Sequence, residues 1–364
     1  MGEQLDSKDR DILDVLEKDS RLPTSLISRR LSLSRQTVQS KIDRMVKTGV
    51  IRKFITRVNN YILGDKTMEL LLKLTEGSDP SAVAKGIASL PRIHCAFAMK
   101  DGEWDIYAAV AYRNGAELTA ILSNIYARFG KSIRRKGTVN AMSLYPFRSK
   151  LGLGQGDRGG LSIEESLHAS HADDGRTTVV LTPKEEAVIN ALRENSRMKA
   201  TELAERIGTS PDTAARMVKS LLARKVVAAY TIQYDHRAVG YEKYICFIST
   251  GAATMELSKA ILSFCAKCRN VTYLIHGIGH YDYIIDISAR GHDELTEVLD
   301  RIDEVLKDSR VRVDPMFVKD VWYGERILAS SAGPVCGAPD GAGERRKPPL
   351  PPEGTPTLME YYKK

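Results

Sequence analysis

The amino-acid sequence contains the same pattern twice, and this repetition limits what the chain can fold into more than any other feature. Residues 5–57 align with residues 181–233 at a constant offset of 176. A second match follows in the same order, because GEWDIY at 102–107 corresponds to GHYDYI at 279–284. The chain is therefore predicted to consist of two copies of one unit.

The first part of each unit shows the pattern of three short helices and a wing. Apolar residues recur at spacings of three and four, and Ser34 is a favourable N-cap for a third helix. In the second copy Ser210 takes the N-cap position and Pro211 the first helical position. With the alternating segment RKFITRV as a β wing, the sequence predicts winged helix-turn-helix modules at 1–60 and 178–236. The residues expected to face the core from the second and third helices are Leu26, Ile27, Leu31, Val38, Ile42, Met45 and Val46.

The second part of each unit alternates strand-like and helical segments in the order βαββαβ, which predicts ferredoxin-like domains at 61–147 and 237–328. The fold class is therefore α+β: two copies of a winged helix-turn-helix followed by a ferredoxin-like βαββαβ domain. Residues 148–177 and 329–364 are rich in Gly, Ser or Pro and in charge, so we expect a flexible linker and a disordered tail.

This order of domains resembles the Lrp/AsnC family of transcription regulators. The resemblance is carried by the opening DRDILDVLEKDSR, by SRQTVQSKIDRMVKTGVI, and by a Gly-x-aromatic-Asp motif that appears as Gly102–Asp105 and again as Gly279–Asp282. It implies DNA binding through the winged helix-turn-helix and assembly through the βαββαβ domains. Family members usually carry one unit per chain and form dimers and larger rings. The duplication therefore predicts an intrachain pseudo-dimer, and a homodimer or larger assembly stays open.

Positive charge is concentrated in the first module. Residues 29–57 contain nine Lys or Arg and one acid, whereas residues 205–233 contain five and two, and the whole chain has a net charge of +8. The third helix of a helix-turn-helix lies in the major groove, where Arg suits guanine and Gln suits adenine, and other cations meet phosphates. We therefore predict double-stranded DNA as the partner, with most affinity and base reading in the first module. The candidate DNA-binding residues are Arg35, Gln36, Thr37, Gln39, Ser40, Lys41, Arg44, Arg52, Lys53, Arg57, Thr213, Arg216 and Lys219.

The family resemblance also implies a small effector, such as an amino acid, bound near the Gly-x-x-Asp loops. The candidate residues are Gly102, Asp105, Gly279 and Asp282. A carboxylate and free backbone amides could hold the ammonium and carboxylate of an amino acid. The favoured alternative is structural: glycine makes the turn and aspartate caps it.

No metal or cofactor is predicted. Cys265 and Cys268 with His276 and His280 invite a zinc site, but their spacing matches no strong template and Cys265 lies on the apolar face of a helix. Buried or half-exposed thiols are the better interpretation. An odd total of five cysteines indicates a reducing compartment. The polar N-terminus resembles no signal peptide and no run of 18 apolar residues occurs, so we expect a cytoplasmic protein without a membrane partner.

The sequence ends in TPTLMEYYKK, in which Leu358, Tyr361 and Tyr362 resemble the sliding-clamp-binding peptide of replication and repair proteins. Thr355 stands where that peptide usually has glutamine. A sliding clamp is therefore a second candidate partner. The favoured alternative is an amphipathic end that docks on its own domain or has no partner.

The sequence is compatible with three functions. The first is a sequence-specific transcription regulator, and the second is a DNA-organising protein with little sequence preference, a role that the family also includes. The third is an enzyme that resembles the sirohaem decarboxylases, which share the two-domain architecture. Their Asn-aromatic pattern near the middle strands is not matched by HYDYIID, and no nucleophile–base set, phosphate loop or nucleotide fingerprint occurs. The sequence therefore favours a regulator without catalytic residues.

Overall fold

The computed structural model of the chain describes residues 5–147, 171–172, 178–251, 254–307 and 311–324. Most of the predicted linker lies outside these residues, as does the predicted tail with Leu358, Tyr361 and Tyr362. The clamp-binding peptide therefore stays a prediction. The predicted fold class is confirmed, because a winged helix-turn-helix followed by a βαββαβ domain appears twice in the described chain.

The first unit begins with three helices and a strand, and continues with four strands and two helices. In chain order these are α1 (Ser7–Lys18), α2 (Thr24–Leu31), α3 (Arg35–Lys47), β1 (Ile51–Val58), β2 (Lys66–Leu74), α4 (Pro80–Ala88), β3 (Ile93–Lys100), β4 (Ile106–Tyr112), α5 (Gly115–Phe129) and β5 (Ile133–Pro146). Short 3-10 turns at Tyr61–Leu63 and Gly130–Ser132 connect neighbouring elements.

The second unit repeats this order after a two-residue strand. Its elements are β6 (His171–Ala172), α6 (Pro183–Glu194), α7 (Ala200–Ile207), α8 (Pro211–Ala223), β7 (Val227–Tyr234), β8 (Glu242–Thr250), α9 (Met255–Lys267), β9 (Val271–Gly279), β10 (Tyr283–Ala289), α10 (His292–Leu306) and β11 (Val311–Tyr323). None of the described helices is both long enough and apolar enough to cross a lipid bilayer.

Two predicted core residues of the first module are at its surface instead. Val46 is 44% exposed and Leu26 is 41% exposed. In α3 the buried residues are Val38, Ile42 and Met45, which recur at spacings of four and three, and Val46 falls about 100° further round the helix. Leu26 directly precedes the buried Ile27 and points about 100° away from it around the helix, which places it outside the buried stripe of α2.

The wing strands of the two units pair with each other. β1 and β7 form a two-stranded antiparallel sheet in which Ile55 lies opposite Thr231. These two positions correspond in the repeat, so an approximate twofold axis passes between them. Ser20 and Ser196 also correspond, and their buried hydroxyl oxygens are 2.7 Å apart. A single chain therefore contains the symmetric contact that two separate copies would make in a dimer.

Each helix-turn-helix core is completed by residues from the other unit. Ile232 and Tyr234 of β7 are buried in the core of the first module, together with Ile12 and Met45. Val58 of β1 is buried in turn in the core of the second module. Because apolar burial is the main favourable term in folding, the two modules stabilise each other.

The two ferredoxin-like sheets join into a closed ring of eight strands. The order is β2-β4-β3-β11-β8-β10-β9-β5, and β5 pairs again with β2. The units meet twice, where β11 pairs with β3 and where β5 pairs with β9. Leu71, Phe97, Phe247 and Ile284 fill part of the interior, and helices α4, α5, α9 and α10 pack on the outside. The intrachain pseudo-dimer that the duplication predicts is therefore what the chain forms.

Trp104 and Tyr281 occupy corresponding positions of the two Gly-x-aromatic-Asp motifs and meet inside the ring. Both side chains are buried, and Trp104 Nε1 donates a hydrogen bond to the Tyr281 hydroxyl at 3.0 Å. Tyr281 in turn donates to Glu103 Oε2 at 3.2 Å. This contact links the two units far from the wing sheet.

Replacing Tyr281 with Phe should destabilise the protein, because it leaves a buried indole N–H without its acceptor. A buried donor without a partner costs about 1–3 kcal/mol. Urea unfolding of the full chain measures the loss of unfolding free energy. Tyr126→Phe is the matched control, since Tyr126 packs at the edge of the first ferredoxin-like core. Equal effects of the two substitutions would contradict the assigned role of Tyr281.

Candidate nucleic-acid interface

The outer face of α3 in the first module carries polar side chains of the types that read base edges. Ser34 starts the helix, since its Oγ accepts a hydrogen bond from the Thr37 amide at 3.0 Å. The Thr37 hydroxyl also lies 2.8 Å from Ser34 Oγ, so Thr37 belongs to the cap. The exposed residues of the first two turns are Arg35, Gln36, Gln39 and Ser40.

Gln39 is held in place by two neighbours. Its Nε2 donates to Asp43 Oδ1 at 2.8 Å, one turn further along α3, and its Oε1 accepts from the Thr24 hydroxyl at 3.2 Å. All three side chains are near the surface. The amide of Gln39 is therefore oriented before any partner arrives, which reduces the entropy lost on binding.

Lys41 and Arg44, which we expected at the DNA surface, form ion pairs with Asp6 and Asp9 at and near the start of α1. Lys41 Nζ lies 2.6 Å from Asp6 Oδ2 and 3.0 Å from Asp9 Oδ1, and Arg44 contacts the other oxygen of the fully buried Asp9 at 2.5 Å. The hydrogen bond from Lys41 lowers the pKa of Asp6 to about 2. These contacts brace α3 against α1. The sequence did not reveal them because the partners lie on different helices.

The wing residues have three different environments. Arg52 binds Asp235, the residue after β7, with 2.5 Å between NH2 and Oδ2, while Lys53 is exposed. Arg57 turns inward, and its guanidinium lies over the ring of Tyr273 in β9 at 5.4 Å from the ring centre. Arg57 therefore connects the wing sheet to the ring of strands, although the sequence suggested a phosphate contact.

Further exposed cations surround α3. Arg29 and Arg30 lie in the last turn of α2, and Lys47 ends α3. With Arg35 and Lys53 they give the first module a basic surface. The side chains of Arg29, Arg30 and Lys47 are all exposed, on α2 or at the end of α3.

The second module presents a different surface. Pro211, Asp212 and Ala215 occupy the positions that correspond to Arg35, Gln36 and Gln39. Its three candidate residues lie on α8: Arg216 and Lys219 are exposed, and Thr213 is half-buried and accepts a hydrogen bond from Arg216 NH2 at 3.2 Å.

A brace like that of the first module also joins α8 to α6. Arg224, the C-cap residue of α8, contacts Glu185 of α6, and Glu185 corresponds to Asp9 in the repeat. The brace is therefore common to both modules, whereas the reading surface is not.

The aspartates of the Gly-x-x-Asp loops accept hydrogen bonds within the chain. Asp105 Oδ2 accepts from the Leu74 amide at 2.7 Å and Asp105 Oδ1 contacts Lys73 Nζ at 2.9 Å. Asp282 Oδ2 accepts from the amide and hydroxyl of Thr250 at 2.6 and 2.9 Å. Both carboxylates tie the end of one strand to the start of another, which supports the structural interpretation over effector binding.

The two loop glycines allow close packing. A Cβ on Gly279, whose φ is +147°, would lie 2.3 Å from the carbonyl oxygen of Thr138 in β5. A Cβ on Gly102 would lie 2.5 Å from Met316 in β11. Both glycines therefore sit where strands of the two units meet.

Glu103, which sequence reasoning missed, joins strands of both units. Its carboxylate contacts Arg135 NH2 at 2.9 Å and Arg312 NH2 at 2.7 Å. Burial alone would raise the pKa of Glu103, but the two guanidinium groups outweigh it and lower the pKa. No sequence signal could identify this cluster, since its members come together only through the pairing of distant strands.

The four cysteines within the described residues form no disulfide with one another. Cys246, Cys265 and Cys268 are buried, and Cys95 is half-buried. His276 stacks on Tyr283, and burial lowers its pKa. In the described part of the chain no group of three or more His, Cys, Asp or Glu has the arrangement of a metal site.

A cavity of about 500 Å³ lies between the wing sheet and the ring of strands. Glu69 of β2 lines it and is fully buried, and burial raises its pKa to about 7. Lys243 of β8 forms an ion pair there with Asp286 of β10. Burial lowers the pKa of His236 to about 3, so this imidazole is neutral. No pattern in the sequence brings these residues together.

Comparison with known proteins agrees with this geometry. A family model described as winged helix-turn-helix DNA-binding matches residues 5–52 and residues 181–227. An uncharacterized HTH-type transcriptional regulator of Pyrococcus abyssi is 33% identical over 115 residues, which cover 32% of this chain and 72% of that protein. The HTH-type transcriptional regulator FL11 of Pyrococcus furiosus is 29% identical over 121 residues, or 33% of this chain and 80% of that protein. The chain belongs to the Lrp/AsnC family of DNA-binding transcription regulators.

A solved crystal structure aligns with both units of this chain. The siroheme decarboxylase NirDL aligns over 89% of this chain and 94% of its own, with a TM-score of 0.57 and 14% sequence identity. At this identity the likeness concerns the fold alone. It shows that two units in one chain are an established arrangement.

Replacing Glu69 with Gln should stabilise the protein in a pH-dependent way. The folded-state pKa of about 7 exceeds the ordinary value of 4.5, so the stability associated with Glu69 is complete below pH 4.5 and is lost as the pH rises through 7. Glutamine does not titrate. The unfolding free energy of Glu69→Gln should therefore exceed that of the parent protein by a margin that grows to about 3 kcal/mol by pH 8. Urea unfolding between pH 4.5 and 8 measures this difference.

Glu297→Gln, at an exposed position of α10, is the control and should show a small difference at every pH. A gap between Glu69→Gln and the parent protein that does not change with pH would refute the assignment of a raised pKa to Glu69.

Proposed function

We propose that the chain is a sequence-specific regulator that reads double-stranded DNA mainly through its first module. The observation that carries this proposal is the exposed face of α3, where Arg35, Gln36, Gln39 and Ser40 lie together above a buried apolar stripe. A recognition helix uses its N-terminal residues to contact base edges in the major groove. Arginine pairs with guanine O6 and N7, and glutamine with adenine N6 and N7.

The remaining candidates of the first module take supporting roles in this proposal. Lys41 and Arg44 fix the angle of α3 relative to α1 through the buried Asp9, so they position the reading residues. Lys53 with Arg29, Arg30 and Lys47 would contact phosphates, which orient a protein on DNA without reading sequence.

The second module contributes less to this binding. Ala215 is too small to reach a base edge with a hydrogen bond, and the Asp212 carboxylate near the start of α8 would repel phosphates. Thr213, Arg216 and Lys219 provide auxiliary contacts. In this proposal the second module has mainly a structural role, because its β7 completes the core of the first module.

An amino-acid effector at the Gly-x-x-Asp loops would have to bind beside Asp105 and Asp282, whose carboxylates already accept backbone hydrogen bonds.

The ring of strands closes within one chain, so chains need no partner to complete it. We therefore propose one pseudo-dimer as the DNA-binding unit, without catalytic activity, and larger assemblies would form on its outer surface.

Binding to duplex DNA from upstream of the chain's own gene tests the proposal, with random duplex measured alongside. Fluorescence anisotropy over a range of salt concentrations should give tight, site-preferring binding whose log K falls linearly with log salt. Arg35→Ala should cost about 1–3 kcal/mol on the preferred site and little on random DNA. Lys47→Ala should weaken both complexes and reduce the salt slope by about 1.

Arg216→Ala in the second module is the matched control and should have a smaller effect than Arg35→Ala. An equal loss from the two substitutions would contradict the asymmetry between the modules. Equal affinity for both duplexes would favour the DNA-organising alternative. A visible absorption band in the purified protein, as bound tetrapyrrole would give, would instead support an enzyme.

A further inference from the structure

The cavity between the wing sheet and the ring of strands has the dimensions of a ligand site. Its volume of about 500 Å³ lies within the range of about 300–1,000 Å³ for small-molecule pockets. Lys53 and Gln233 of the wing strands line one side, and Glu69, Lys243 and Asp286 of the ring line the other. A molecule in this space would touch both units.

The unsatisfied polar atoms of this cavity include carboxylate oxygens. Within the described residues, no group meets full hydrogen-bond geometry with either oxygen of Glu69, although the Tyr107 hydroxyl is near enough to lower the pKa of Glu69 against the effect of burial. Oδ1 of Asp286 also lacks a partner. Glu69 is completely buried. Burying a carboxylate without hydrogen bonds is costly, so a donor that reached Glu69 would recover a large part of that cost.

The inward-facing cations of the cavity already have partners. Lys243 binds Asp286, Arg193 NH2 donates to Asn60 Oδ1 at 2.9 Å, and Arg57 lies over Tyr273. Lys53 is exposed. None of these cations forms an ion pair with Glu69, so a positively charged group fits beside this carboxylate better than an anion.

Aromatic side chains line part of the cavity. Phe97 and Tyr107 stack on each other with ring centres 5.2 Å apart and an angle of 27° between their planes. Both line the cavity together with Tyr273 and Tyr323. A cation that is also planar can lie against aromatic faces and gain a cation–π interaction.

The cavity is asymmetric although it lies between two similar units. Ile245 occupies the repeat position that corresponds to Glu69, and Thr67 the position that corresponds to Lys243. A dimer of identical chains would place every group twice about its axis. The duplicated chain instead carries one copy of Glu69, so it can form one site per chain.

We propose that this cavity binds one compact planar cation, of the amidine or amino-heterocycle class, with its N–H donors directed at the Glu69 carboxylate. This goes beyond DNA binding, and it places the ligand away from the Gly-x-x-Asp loops. The bound cation would lie against the same wing strands that carry Lys53 and Arg57.

Isothermal titration calorimetry of the full chain with benzamidine tests the proposal, with no DNA present. Benzamide and benzoate serve as neutral and anionic molecules of nearly the same shape. Benzamidine should bind with one site per chain, and the other two compounds should bind at least tenfold more weakly. Glu69→Gln should reduce the affinity for benzamidine at least tenfold, whereas Glu297→Gln should leave it unchanged.

Glu69→Gln is expected to be more stable than the parent protein at neutral pH. Weaker binding of benzamidine by this variant could therefore not be attributed to unfolding. The proposal is overturned if benzamidine produces no binding heat at millimolar concentration, if benzoate binds as well as benzamidine, or if Glu69→Gln binds benzamidine with unchanged affinity.

Discussion

The pairing of β1 with β7 is the contact on which the rest of this structure depends. It brings Ser20 and Ser196 together at the approximate twofold axis and inserts Ile232 and Tyr234 into the core of the first module. Neither helix-turn-helix has a complete core without the wing of the other unit. The same symmetry brings the two sheets together, so that their strands close into one ring. The DNA-binding surface is thus supported by contacts that reach across the whole chain.

Duplication within one chain removes a restriction that applies to identical subunits. In a symmetric dimer every substitution appears twice, whereas here each copy can change alone. The first recognition helix keeps Arg35 and Gln39, while Pro211 and Ala215 stand at the corresponding positions of the second. The same freedom allows Glu69 to line the cavity while Ile245 stands at the corresponding position of the second unit. Shared contacts such as the α3–α1 brace preserve the fold while the surfaces diverge.

Local patterns in the sequence predicted the repeat, both kinds of domain and the N-caps at Ser34 and Ser210, because periodicity and capping depend on near neighbours. They also identified the polar face of α3. They did not predict that Lys41 and Arg44 bind Asp6 and Asp9, or that Glu103 lies among arginines. Those contacts, like the cavity around Glu69, depend on how distant elements pack, and no single segment of the sequence contains that information.

A disulfide across the twofold axis tests the intrachain pseudo-dimer most directly. The hydroxyl oxygens of Ser20 and Ser196 are 2.7 Å apart, which suits a disulfide between cysteines at these positions. The Ser20→Cys, Ser196→Cys double variant, oxidised and run on a non-reducing denaturing gel, should migrate as a single compact chain. Peptide mapping should link the two positions, and Ser20→Cys alone should show no such link. A product that joins two chains would contradict the account.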